Sequence, residues 1–388
     1  MPPISLPYWD IFCTVVDNYG DIGVTWRLAR QLVNEYQVPV RLWVDDLVSF
    51  QRLCPQLNTQ LAQQTIDNVL IGHWNAHFPI DMQPGKVVIE AFACELPLSL
   101  QHHMQQMDKP PVWLNLEYLT AESWIDSCHG LPSRQDQLTK FFFFPGFSAK
   151  SGGLLCENTL FAARQQWQQQ SKQRQQFCQH RHLLPPQPNE LFISLFSYEN
   201  TALPALFNCW QSHPTPIRCL IPAGRTLNSL QTVLPAEVCQ AGGRWQQGSL
   251  TVEVLPMTDQ TGYDQLLWSC DINIVRGEDS FLRAQWAARP FLWHIYPQEE
   301  EAHLEKLQAF LARYTENMSP VLASTVQQLF LTFNQAHPEE FIASWTALQP
   351  YWSEWQQQAQ QWPQTALAGG NLASQLVQFV EKQLECRA

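Results

Sequence analysis

Short runs of β-branched and aromatic residues alternate along this chain with amphipathic stretches, a pattern that predicts parallel α/β units. Ile11 to Val16 reads as a first buried strand, followed by a polar loop, Asp17 to Asp21. The next stretch, Ile22 to Tyr36, places Trp26, Leu28, Ala29 and Leu32 on one face at helical spacing. Val38–Val44, Val69–His73, Val87–Phe92 and Val112–Leu116 are further strand candidates, and Asn158 to His180 reads as a Gln-rich helix. The segment LLPPQPNE, Leu183 to Glu190, reads as a linker. Beyond it the alternation restarts, with strands expected at Leu191–Phe196, Ile217–Ile221, Leu250–Leu255, Asp271–Val275 and Phe291–Tyr296. Helices are expected at Tyr263–Ser269 and Phe281–Ala288, and through the tail from about Glu299, including Asn371–Cys386. The restart divides the chain into residues 1–182 and 183–388, two Rossmann-like domains facing a central cleft.

Composition narrows the class. The chain has 388 residues, enough for two cores, and 45% hydrophobic against 15% charged residues is a globular balance. Its 23 basic and 35 acidic residues give a net charge of −12, which argues against a nucleic-acid partner and suits a protein partner with a basic surface. No run approaches the roughly 20 apolar residues that span a bilayer, and Met1 to Trp9 carries no secretory pattern. The 11 cysteines are scattered without a CxxC pair, which reads as reduced thiols in a cytoplasmic protein. His73 and His77 lie four apart, but Pro79 opposes a helix there, so no metal site is expected.

Three loops carry candidate chemistry. In DNYGDIG, Asp17 to Gly23, the glycines Gly20 and Gly23 permit a tight turn, and Asp17 and Asp21 can reach one cleft mouth beside Asn18 and Tyr19. Two acids there can share acid–base work; the same spacing also fits plain turn chemistry, with Asp21 capping a helix. In RGEDS, Arg276 to Ser280, a strand gives way to a helix start, a setting for an anion such as a diphosphate. Arg276 can neutralise a phosphate and Glu278 can accept from sugar hydroxyls, while Asp279 and Ser280 also fit an ordinary N-capping segment. In FSYEN, Phe196 and Tyr198 can line a base or sugar or fill a core, and Gln260 is a further polar candidate. The first loop lacks the GxGxxG pattern of NAD-binding domains.

The segments WDIFCTVVDNYGDIGVTWRLARQL (Trp9 to Leu32) and CDINIVRGEDSFLRAQWAARPFLWHIYPQ (Cys270 to Gln298) resemble EarP, the elongation-factor-P arginine rhamnosyltransferase family. NLEYLTAESW and LFSYEN are similar as well. The resemblance implies a GT-B glycosyltransferase fold, with the acceptor on the N-terminal side and the nucleotide sugar bound by the C-terminal domain. It implies inverting transfer of L-rhamnose from TDP-β-L-rhamnose to an arginine of EF-P, which activates that factor for relief of stalling at polyproline. Asp21 matches the family's general base and Asp17 its partner acid. Phe196, Tyr198, Gln260, Arg276, Glu278, Asp279 and Ser280 match donor positions, and Met257 falls where the family has an aromatic beside the thymine. No metal or other cofactor is expected. The competing readings are a GT-B transferase with another nucleotide sugar and a small-molecule or lipid acceptor, a non-catalytic nucleotide-sugar sensor, and an NAD-dependent oxidoreductase.

Overall fold

The computed structural model describes residues 6–16, 19–74, 78–79, 81–170, 172–298 and 301–386. Of the positions singled out above, Asp17, Asn18 and His77 lie outside the described residues. The chain forms two compact units, Met1–Asn158 with Ala366–Ala388, and Thr159–Thr365. Among the described residues no helix is long and apolar enough to cross a membrane.

The strands of the first unit are β1 (Leu6–Cys13), β2 (Val40–Val44), β3 (Gln63–Ile66), β4 (Val69–His73), β5 (Gly85–Ala91), β6 (Val112–Leu116), β7 (Pro132–Gln135) and β8 (Leu138–Phe143). They form one sheet in the order β3-β4-β2-β1-β5-β6-β8-β7. Its central pairs are parallel, whereas β3–β4 and β7–β8 are antiparallel hairpins. The second unit holds β9 (Leu191–Leu195), β10 (Ile217–Pro222), β11 (Arg244–Gln247), β12 (Leu250–Leu255), β13 (Ile272–Arg276) and β14 (Phe291–His294), ordered β11-β12-β10-β9-β13-β14. Only β11 runs antiparallel. Every residue of β2, β6, β10, β12, β13 and β14 is buried, as expected of parallel strands covered on both faces. Strand order reverses once in each sheet, at β1/β5 and at β9/β13. Loops leaving the carboxyl ends of those strands border the crevice where open α/β sheets bind ligands.

The units do not divide at 182/183. The helices Leu160–Gln169 and Gln173–His180 belong to the second unit, where Arg164 Nη1 donates to the Trp286 carbonyl at 2.8 Å and Trp167 Nε1 to Ser269 Oγ at 3.1 Å. The segment read as a linker is clamped inside that unit as well. Arg218 of β10, 1% exposed, donates to the carbonyls of Leu184 and Pro185 and pairs with Glu190 and Glu253 at 3.0 and 3.2 Å. The tail, in turn, is shared. The helix Leu372–Glu385 returns to the first unit, burying Leu372, Ala373, Leu376 and Val380, and Phe379 packs edge-on against Phe141 and Phe143. Composition alone signalled neither exchange, because both depend on partners far away in sequence.

Arg218→Met should therefore strand Glu190 in the interior; Glu253 keeps the exposed Arg244 at 3.2 Å. Breaking one side of a buried ion pair costs about 3–5 kcal/mol. A clearly lower urea midpoint is expected, and an unchanged midpoint would show that this clamp is not what ties the segment down.

Candidate functional site

In the first unit the candidate acid Asp21 lies in the first turn of the helix Gly20–Tyr36 and is 2% exposed. It does not cap that helix; Tyr19 occupies the cap position and makes no side-chain cap bond. Asp21 reaches backwards instead. Its Oδ2 accepts from the Val16 backbone N–H at 2.9 Å, and its Oδ1 from the Tyr118 hydroxyl at 3.1 Å. The neighbouring Val15 N–H donates to Asp45 Oδ1 at 2.9 Å, so the chain leaving β1 is pinned by two carboxylates. Gly20 and Gly23 are helical residues, not turn residues, and Gly23 N–H bonds to the Tyr19 carbonyl. Tyr19 accepts from Arg52 at 3.3 Å. Val16, Val48, Leu98, Tyr118 and Trp124, which follow the carboxyl ends of β1, β2, β5 and β6, are exposed, an apolar group along this loop-bearing edge.

In the second unit the candidates converge at the β9/β13 reversal. Arg276 ends β13, is 4% exposed, and stands over the rings of Phe196 and Tyr198 at 4.6 and 4.7 Å. Its Nη1 is buried without a hydrogen-bond partner among the described residues. Gly277 follows in the left-handed region at φ 61°, and its carbonyl accepts from Trp293 Nε1 at 2.9 Å. That turn delivers Glu278 to the cap position of the helix Asp279–Trp286. Asp279 is buried, Glu278 and Ser280 half-buried. The helix's leading N–H groups have no carbonyl one turn earlier to bond, which makes its start attractive to an anion. The hydroxyl of the enclosed Tyr263 is buried without a hydrogen-bond partner among the described residues, burial pushes its pKa up, and Tyr263 packs edge-on against Phe196. Gln260 begins the helix Gln260–Ser269, capped by Asp259. Asp264 of that helix grips Arg283 of the next with two bonds of 2.9 and 2.7 Å, fixing the two helix starts in one frame. Met257 is half-buried in the loop after β12.

The family model described as Elongation-Factor P (EF-P) rhamnosyltransferase EarP matches residues 9–381. The chain belongs to the EarP family. It is 51% identical over 386 residues to the protein-arginine rhamnosyltransferase of Shewanella oneidensis, covering 97% of this chain and 98% of that protein. A solved structure giving the basis for EarP-mediated arginine glycosylation of translation elongation factor EF-P matches with TM-score 0.70 and 35% identity, covering 97% of this chain and 99% of that one. The UDP-GlcNAc 2-epimerase of Neisseria meningitidis, 10% identical with TM-score 0.56 over 97% of this chain and 99% of its own, shares the fold alone. The EarP chain has the GT-B architecture that its loop motifs implied.

Sequence reading missed three side chains of the EarP second-unit cluster. His294 ends β14 and Tyr296 follows it; both rings meet Tyr198 edge-on, at 5.4 and 5.5 Å. Glu199 pairs with Arg225 at 2.7 Å, and the guanidinium hydrogen bonds hold its pKa down at about 2. A histidine closing the apolar run FLWH was the available signal for His294. Burial first, and then the Arg276 charge, hold its pKa down at about 3.

In the unfolded chain His294 titrates near 6.5. Between those values the unfolded state binds a proton that the folded state refuses, so stability is lost as pH falls below about 6.5. The expected loss from this group is at most roughly 2 kcal/mol between pH 6.5 and 5. His294→Gln should flatten the fall in unfolding free energy over that window. Parallel slopes for the variant and the unaltered protein would exclude His294 as the source.

Proposed function

We propose that this chain transfers L-rhamnose from TDP-β-L-rhamnose to an arginine side chain of elongation factor P, with inversion at the anomeric carbon. The observation that carries the reading is the coincidence of motif and topology. Each cluster that bears an EarP motif lies at the strand-order reversal of its own sheet, Asp21 beside β1/β5 and Arg276 beside β9/β13. Family membership supplies the reaction class.

The acceptor group is a poor nucleophile: a guanidinium is positive, delocalised and holds its proton up to about pH 12. Asp21 acts as general base in this scheme. It takes the proton from the attacking nitrogen as that nitrogen bonds to the anomeric carbon, while the bond to the diphosphate oxygen breaks and its electron pair leaves with TDP. Asp17 is the partner acid that holds the guanidinium charge. On the donor side, Arg276 and the start of the helix Asp279–Trp286 meet the charge developing on the leaving diphosphate, so the scheme calls on no metal. The unbonded Nη1 of Arg276 supports that role. Phe196 and Tyr198 line the nucleotide, and Glu278, Asp279, Ser280 and Gln260 complete the donor contacts. Met257 packs on the base through its thioether rather than an aromatic ring. The acidic chain, −12 overall, favours an acceptor loop rich in basic groups, and the exposed apolar side chains near Asp21 give that loop a docking edge.

The direct test is mass spectrometry of elongation factor P incubated with this protein and TDP-rhamnose. One deoxyhexose on one arginine is expected; an unmodified factor, or equal transfer from UDP-sugars, would overturn the reading.

Asp21→Ala should cut turnover roughly 10²–10⁴-fold, the usual worth of a general base, and leave TDP affinity intact. Near-normal turnover would send the proton elsewhere.

Arg276→Ala and Glu278→Ala should each weaken TDP binding in calorimetric titration. Unchanged affinity in both would move the diphosphate away from this helix start.

A further inference from the structure

Val16 and Tyr118 reach the carboxylate of Asp21 with donors of different kinds. Val16 N–H is backbone, carried by the loop after β1, whereas the Tyr118 hydroxyl is a side chain reaching across from the loop after β6. Tyr118 is 40% exposed, so burial alone does not hold its ring in place. Stacking does: the ring lies on Phe92 with centroids 4.4 Å apart and planes 16° from parallel.

Phe92 in turn sits in an unusual backbone. The chain leaving β5 has Phe92, Ala93 and Glu95 at φ 59°, 54° and 43°, three non-glycine residues in the left-handed region within four positions. Such a conformation persists only where the surroundings impose it. Here Phe92 N–H donates to the Leu116 carbonyl at 2.7 Å, Ala93 N–H to Asn115 Oδ1 at 3.1 Å, and Leu96 N–H to Glu90 Oε1 at 3.2 Å. The strained segment is locked to β5 and β6 and presents one large ring, on which Tyr118 rests.

We infer that Tyr118, seated on Phe92, is a positioning residue for Asp21: it sets which lone pairs of the carboxylate are left to receive an incoming N–H. The inference rests on the reading of Asp21 as general base. A donor on Oδ1 opposes rotation of the carboxylate about the bond that Oδ2 makes with Val16 N–H. The strain beneath Phe92 then serves the aim of one carboxylate.

Tyr118→Phe keeps the stack and removes the bond. The expected result is a kcat about tenfold lower, the worth of one hydrogen bond to a charged group, with TDP affinity, acceptor KM and thermal midpoint close to those of the unaltered protein. Phe92→Asn tolerates the left-handed backbone but removes the platform. It should lower kcat in the same direction, and the double variant should lose less than the product of the two single losses. An unaltered kcat for Tyr118→Phe would overturn the inference, as would a loss that appears in KM and thermal midpoint instead of kcat, or independent effects of the two changes. Asp21→Ala, run alongside, separates the two ideas. If it abolishes turnover while Tyr118→Phe is normal, the positioning role alone fails; if it leaves turnover intact, the general-base reading fails first.

Discussion

A parallel strand covered on both faces has no solvent side on which to carry a charge, and this limits where polar chemistry can sit in either unit. Several ionised side chains on the strands are held in pairs. Arg41 grips Asp10 through two bonds of 2.6 and 2.7 Å, Arg218 is shared between Glu190 and Glu253, and Glu90 takes Lys140 at 2.8 Å. Two groups beyond this pattern differ in kind. Arg276 stands on ring faces and forms no ion pair among the described residues, and Asp21, in the first turn of the helix after β1, meets a hydroxyl and a backbone N–H.

The sequence showed the central strands well, because doubly buried strands are near-continuous apolar runs. Val69–His73, Val112–Leu116 and Leu250–Leu255 begin and end where the apolar pattern does. It hid β3, β7 and β11, whose residues QQTI, PSRQ and RWQQ carry little apolar signal. Each is an outer strand of a hairpin, held by its neighbour's backbone, and a polar sequence is what an edge requires. The Gln-rich helix expected from Asn158 to His180 is two helices, Leu160–Gln169 and Gln173–His180, and Ser171 between them lies outside the described residues.

The candidate site was legible where its residues share one loop and illegible where they come from several. RGEDS could be read as a helix start because its four critical features, strand end, left-handed glycine, cap and first turn, are consecutive. The ring of aromatic and histidine side chains around Arg276 draws on three strand ends, and no spacing within the sequence connects Tyr198 to His294. DNYGDIG misled in detail for a related reason. Its glycines suggested a turn, yet the helix starts at Gly20, and the conformation that only glycine adopts easily is found at Gly277 instead. An acid within a loop also looks like a cap until its partners, here Val16 and Tyr118, are known.

Arg276 and His294 show how burial limits positive charge in the second cluster. A guanidinium buried at 4% exposure with no ion pair among the described residues is expensive, and two ring faces offset part of that cost through their quadrupoles. A second cation at the same point would add repulsion in a medium that screens poorly. His294 avoids this by remaining neutral, and the Arg276 charge itself contributes to that, after burial. Arg276 thus keeps its charge beside the start of the helix Asp279–Trp286, with an Nη1 that has no hydrogen-bond partner among the described residues.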